Sequence, residues 1–204
     1  NLLILLTPLL TVPYISRVLG PTGVGINATT NSIITYFLLF GTVGITIYGN
    51  REIAFIRDNR GQRSQTFWEI EILQLLTISC AYLAFIVFLF FEHQLQIYFF
   101  YQSFYIIAGA VDISWYSMGL EDFKKTVLRN MLVKIASVIA IFIFVKTRQD
   151  TGIYILILAG SQVLGNLTLW PYLRHSVERP NWRQLNLFRH LRPSLALFVP
   201  QIAT

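Results

Sequence analysis

Cysteine is all but missing. Cys80 is the one thiol in 204 residues, so the chain closes no internal disulfide and builds no CxxC metal site; inside an apolar run, it reads as a small packing residue. Charge is scarce as well. Asp, Glu, Lys and Arg make up 13% of the residues against 54% hydrophobic ones, and mean hydropathy is +0.57, well outside the range of ordinary soluble domains. The glycines from Arg17 to Gly25 form a Gly- and Pro-rich turn without phosphate-loop spacing and without a following GK[ST], which disfavours nucleotide binding. His93, His175 and His190 lie in connections and lack metal-ligand spacing. No Ser/His/Asp set or carboxylate pair at a soluble cleft is visible. The sequence therefore leads us to expect no metal, no cofactor and no enzyme.

What the chain has instead is a succession of long apolar runs. A bilayer core of roughly 30 Å needs about 20 mostly apolar residues per helix. Segments of that kind run from before Asn1 to about Ile15, Val24 to Tyr48, Ile72 to Phe91, Gln96 to Met118, Val127 to Val145 and Thr151 to Leu173, and another begins at Ser194. The expected fold is an all-α integral membrane protein: a six-transmembrane-helix lobe over 1–173, a basic cytosolic linker over 174–193, and the start of a seventh helix over 194–204. The chain opens without Met and stops inside an apolar run, so it reads as part of a longer one. Pro8 and Pro13 are expected to bend the first segment.

Charge and grease are separated along the sequence rather than interleaved. Residues 110–130, AVDISWYSMGLEDFKKTVLRN, carry one acid, Asp112, through an apolar run and then release Glu121, Asp122, Lys124, Lys125 and Arg129 together. A soluble amphipathic helix alternates charge and grease, whereas a helix leaving lipid for water segregates them. The loop expected from Asn50 to Thr66 holds Arg51, Arg57, Arg60 and Arg63; the linker holds Arg174, Arg179, Arg183, Arg189 and Arg192. The alternate connections hold only Arg17, then none, then Lys146 and Arg148. The positive-inside rule therefore puts the even connections and the amino end in the cytosol. The net charge of +6 is dispersed between apolar runs and suits anionic lipid, not nucleic acid. Trp115, Trp170 and Tyr172 fit an interfacial aromatic belt. TPLLTVPYIS at Thr7–Ser16 and RPSLALFVPQIA at Arg192–Ala203 form a weak internal repeat, consistent with parallel halves about an axis normal to the membrane.

The D-x-S-W…G-L-E-D-F-K-K…R-N series of 110–130 resembles the polysaccharide transporter branch of the multidrug/oligosaccharidyl-lipid/polysaccharide superfamily. PYISRVLG with GPTGVG at Pro13–Gly25, ITIYGNREIAFIRDN at Ile45–Asn59 and FVKTRQDTGIY at Phe144–Tyr154 extend the resemblance along nearly the whole chain. The resemblance implies half of a two-lobe, alternating-access flippase in the bacterial cytoplasmic membrane, with a parent about twice as long. Its cargo would be an isoprenoid diphosphate bearing an oligosaccharide for O-antigen, capsule or exopolysaccharide, and polysaccharide polymerase and glycosyltransferases would be its neighbours, with membrane lipids around it. The alternatives are a cation-coupled drug antiporter of the same superfamily, which favours an acid-lined cavity, and a membrane-embedded sugar polymerase or ligase, which favours a large outer loop.

Polar groups inside a membrane are costly, so those present are candidates for function. Asp112 and Lys134 lie at similar depth on neighbouring antiparallel segments and are expected to come together, Lys134 meeting a phosphate and Asp112 responding to a proton or cation, or the two forming a structural ion pair. Arg17 and Arg51 flank the second segment and offer planar guanidinium forks to a diphosphate. Asn27 and Asn31 offer amides to sugar hydroxyls or, alternatively, to neighbouring helices.

Overall fold

A computed structural model of the chain describes residues 11–180, 182 and 185–202. Residues 1–10 with Pro8, and also Arg183 and Thr204, lie outside the described residues, as do the side chains of Lys124, Lys125 and His175. Among the described residues there is no strand. The helices are α1 over 11–18, α2 Gly20–Thr42, α3 Ile45–Ile56, α4 Arg60–Phe91, α5 Gln96–Gln102, α6 Phe104–Ala110, α7 Ser114–Gly119, α8 Phe123–Phe144, α9 Thr151–Leu167, α10 Trp170–Ser176 and α11 Phe188–Ile202. A 3-10 turn, Arg148–Asp150, leads into α9. Among the described residues three stretches are long and apolar enough to cross a membrane: Arg60–Phe91, Thr126–Phe144 and Arg148–Arg174. The pair α2 and α3, bent by 40°, makes a fourth if it is one span. The chain is thus an all-helical, multi-pass membrane protein.

Connections alternate between two ends of this bundle. At one end Arg57 pairs with Glu121 at 2.8 Å and Arg60 with Glu178 at 3.4 Å, and Arg63 and Tyr116 both donate to the Ser176 carbonyl. At the other, the Tyr14 hydroxyl donates to the Val145 carbonyl at 2.7 Å, and Gly23 lies so close to Thr151 that a Cβ there would come within 2.7 Å of its Oγ1. Successive long segments are therefore antiparallel.

Several expected boundaries move. Most of the loop expected from Asn50 to Thr66 is helix: α3 runs to Ile56, and α4 starts at Arg60 behind an Asn59 N-cap whose side chain accepts from the Gln62 amide. Charge marks where the membrane ends, not where the helix does. At 32 residues, α4 is about 48 Å long and overreaches a bilayer core of roughly 30 Å. The turn expected from Arg17 to Gly25 shrinks to Leu19, because Gly20 reverses the chain with a φ of +69° as the first residue of α2 and Pro21 continues the helix at once. The fourth segment is not one helix but α5, α6 and α7, and the sixth breaks at Thr168–Leu169 before α10.

Each break leaves carbonyls that must find donors. At the α6–α7 break, the Gln74 amide on α4 donates to the Gly109 carbonyl at 2.7 Å and the Asp112 carbonyl at 3.0 Å, while Trp170 Nε1 donates to the Val111 carbonyl at 3.0 Å. At the α2–α3 bend, Val43 and Gly44 are both left-handed, and Ser194 Oγ on α11 donates to the Val43 carbonyl at 2.7 Å. A Cβ on Gly44 would fall 2.6 Å from the Ser194 carbonyl oxygen, so α11 packs directly on the bend.

Two expectations about single residues are overturned. Trp115 belongs to no interfacial belt; it is fully buried, stacks on Phe67 with centroids 5.5 Å apart, and donates its indole N–H to Gln74. Gly49 leaves the room for it, since a Cβ there would come within 2.6 Å of the ring. Cys80 is exposed rather than packed, because it lies on the outward face of α4.

Candidate functional site

Helix α8 shows how the cavity around Asp112 and Lys134 is built. Arg129 and Asn130, Val133 and Lys134, and Ser137 and Val138 recur at helical spacing and line a cavity of about 600 Å³, together with Asp112 and Ser114 at the α6–α7 break and Tyr105, Tyr154 and Gln162. The opposite face of α8 exposes Leu128, Leu132, Ile135, Ile139 and Ile143, a surface suited to lipid.

Asp112 and Lys134 share this cavity, but they do not form an ion pair. The Asp112 carboxylate turns back to accept from the Ser114 amide at 3.0 Å, bridging the helix break, and its charge acts on Arg129 instead. Lys134 is half-buried and has no hydrogen-bonding or acidic partner among the described residues. Arg129 is anchored: Nη1 donates to Asn166 Oδ1 at 2.7 Å, and Asn166 in turn donates to the Ala108 carbonyl at 2.7 Å. By sequence Arg129 belongs to the charge burst that follows Gly119, whereas the structure turns it into the cavity. Its position nearly two turns inside α8, five residues before Lys134, is the available signal.

The other candidates do not join them. Arg17 is exposed at the end of the bundle near Val145, and Arg51 is exposed on α3 toward the opposite end, its guanidinium 5.7 Å from the centroid of Phe55. Asn27 accepts from Gln102 Nε2 at 3.2 Å, a helix-to-helix bond, and Asn31 is exposed on α2. Around Asn31 the exposed surface of α2 is small and polar, with Gly25, Ala28, Thr29, Ser32 and Thr35.

Two acids on α4 were missed because the third segment was read from Ile72. Glu71 is fully buried, neither carboxylate oxygen has a hydrogen-bond partner among the described residues, and the charge of Asp112 reaches it. Glu69 is equally buried but saturated. Its Oε2 lies 2.7 Å from both Arg189 Nη2 and His190 Nε2, while Oε1 accepts from the Asn186 amide at 2.9 Å and Gln65 Nε2 at 3.0 Å. Tyr48 Oη closes the chain 2.7 Å from His190 Nδ1. With its proton on Nε2, a neutral His190 donates to Glu69 and accepts from Tyr48; with the proton on Nδ1 it donates to Tyr48, and Nε2 accepts from Arg189 Nε at 3.0 Å but then turns a lone pair to the Glu69 carboxylate, so the first arrangement is the favoured one. Burial holds its pKa below the ordinary histidine value, against the opposing pull of the Glu69 hydrogen bond. His190, expected in a connection, therefore ties α11 to α3 and α4 from within a helix. Among the described residues no group of three or more His, Cys, Asp or Glu side chains is placed to hold a metal.

Comparison with known proteins agrees with this architecture. The family described as "Polysaccharide biosynthesis protein" matches residues 1–203. A protein of Escherichia coli (strain K12) named "Putative O-antigen transporter" is 28% identical over 153 residues, which cover 72% of this chain and 36% of that protein. No solved structure matches the chain.

Proposed function

The chain belongs to the polysaccharide biosynthesis protein family, and we propose that it forms one lobe of a flippase for a lipid-linked oligosaccharide. The cargo on this reading is an isoprenoid diphosphate sugar carried outward across the bacterial cytoplasmic membrane, with no bond made or broken. The observation that carries the proposal is Lys134: a cation at membrane depth, lining a cavity, without an acidic partner among the described residues. Such a charge is costly in hydrocarbon and is offset when an anionic ligand arrives. Arg129 adds a guanidinium held in place by Asn166, which suits a diphosphate with several oxygens.

Two bases stand against Asp112 on the cavity wall, which argues against a drug antiporter needing an acid-lined site. The small polar face of α2 around Asn31 supports a wet passage on that side, since the exposed face of α8 is apolar by contrast. Asp112, within electrostatic reach of the unpartnered Glu71, is the candidate coupling group. With the basic connections cytosolic, about two negative charges moving outward through 100 mV gain roughly 4 to 5 kcal/mol. Membrane lipids surround the lobe, and polymerase and glycosyltransferases act on the cargo before and after it.

The test is reconstitution of the full-length protein into vesicles holding a fluorescent lipid-linked oligosaccharide in one leaflet. We expect transfer to the other leaflet, strongly reduced by Lys134→Gln. Equal rates in protein-free vesicles would end the proposal.

A further inference from the structure

We propose that the groove between α4 and α10 is a binding site for an anionic phospholipid, separate from the cargo cavity. The groove measures about 780 Å³ and is walled by Trp68, Trp170, Leu167 and Leu173, with Arg174 and Arg179 at its edge. Both indoles are fixed by their N–H groups: Trp68 donates to the Glu178 carbonyl at 2.9 Å and Trp170 to the Val111 carbonyl at 3.0 Å. Their polar ends are thereby satisfied within the protein, and apolar ring surface is left for the groove.

Position and charge both favour a lipid occupant. The apolar stretch Arg148–Arg174 ends at this groove, so its basic edge stands at the level where hydrocarbon gives way to headgroups. Four other arginines at the same end are engaged, Arg57 with Glu121, Arg60 with Glu178, Arg63 with two backbone carbonyls and Arg189 with Glu69, whereas Arg51 lies away from the groove against Phe55. Arg174 and Arg179 are exposed and have no acidic partner among the described residues, while Glu178 beside them is held by Arg60. Two unneutralised guanidinium groups over an aromatic and aliphatic trough complement one molecule with a phosphate head and an acyl tail. A guanidinium donates to two phosphate oxygens at once, which a zwitterionic headgroup offsets with its own cation.

This inference does not depend on the transport reading, and its test needs no cargo. The full-length protein in detergent is titrated with phosphatidylglycerol and with phosphatidylcholine, each carrying brominated acyl chains, and binding is read by quenching of tryptophan fluorescence. We expect phosphatidylglycerol to bind roughly tenfold more tightly, with the preference collapsing in the Arg174→Gln/Arg179→Gln double variant. Arg51→Gln, which removes another exposed arginine on the same side of the protein, keeps the preference. Unchanged thermal unfolding of the double variant shows that it still folds. Trp170→Ala weakens both lipids together by removing one wall. Equal affinity for the two lipids, a preference surviving in the double variant, or displacement of phosphatidylglycerol by millimolar inorganic phosphate each overturns the proposal, the last by showing a site for free anions.

Discussion

Two polar clusters sit within the helices of this protein, and they are built on opposite rules. Around Glu69 nearly every donor and acceptor is spoken for: Gln65, Asn186, Arg189 and His190 converge on one carboxylate, and Tyr48 completes the relay. Around Lys134 the reverse holds, with an ammonium facing an open cavity and an acid nearby that bonds elsewhere. A saturated buried network fixes a structure, because losing any member strands the rest. An unsaturated one keeps its interaction energy for something that comes and goes. The first cluster is built as a folding element would be, seating α11, and the second as the proposed binding site requires.

Substitution can break that division. The largest effect should come from Glu69→Ala, which leaves His190 and Tyr48 buried without their partner; we expect a loss of about 3 kcal/mol in unfolding free energy, read by denaturant titration of the purified protein. Folded Glu69→Ala protein should still move cargo at a near-normal rate per molecule. Lys134→Gln should do the opposite: unchanged unfolding, but transport slowed roughly 30-fold through the loss of a charged hydrogen bond to phosphate. Arg17→Gln and Arg51→Gln should stay near the parent rate, since neither side chain reaches the cavity. If the arginine variants fail and Lys134→Gln does not, the cavity has been misplaced.

Gly49→Ala sharpens the comparison from the core. The added Cβ meets the Trp115 ring at 2.6 Å, and the tryptophan is pinned by Phe67 and Gln74, so the neighbour has little room to yield. Overpacking of this kind costs about 1 to 3 kcal/mol, which thermal unfolding would detect. Any loss of transport should then track the loss of folded protein.

What the sequence revealed divides along physical lines. Apolar run length is a property of the chain itself, and α8, α9 and the apolar part of α4 from Ile72 to Phe91, though not its start at Arg60, are legible in it. The meeting of Asp112 and Lys134 in one cavity was legible too, because antiparallel neighbours at equal depth must face the same layer. Their lack of pairing was not, since it depends on the backbone break that turns Asp112 onto Ser114. Trp115 looked interfacial because a tryptophan beside a charge burst usually is; only the approach of Gly49 shows it to be core. The Glu69 cluster was hidden for a different reason. Its members are 121 positions apart at Glu69 and His190, and no local pattern announces a contact of that span.

The smallest effect concerns pH and tests whether the Glu69 cluster is as closed as it looks. Burial keeps the folded His190 below its ordinary pKa, so the unfolded chain takes up the proton first as pH falls. Stability from this group is therefore complete above about pH 6.5 and declines as pH drops through that value. An unfolding titration repeated across this window should show the parent losing stability relative to the His190→Gln variant as pH falls. The pull of Glu69 on the same ring opposes the burial effect and keeps the difference small. A difference of the other sign between parent and His190→Gln would mean that the ring is seated as an imidazolium, with Glu69 outweighing burial, and the cluster would then be an ion triad with Arg189 rather than a neutral relay to Tyr48.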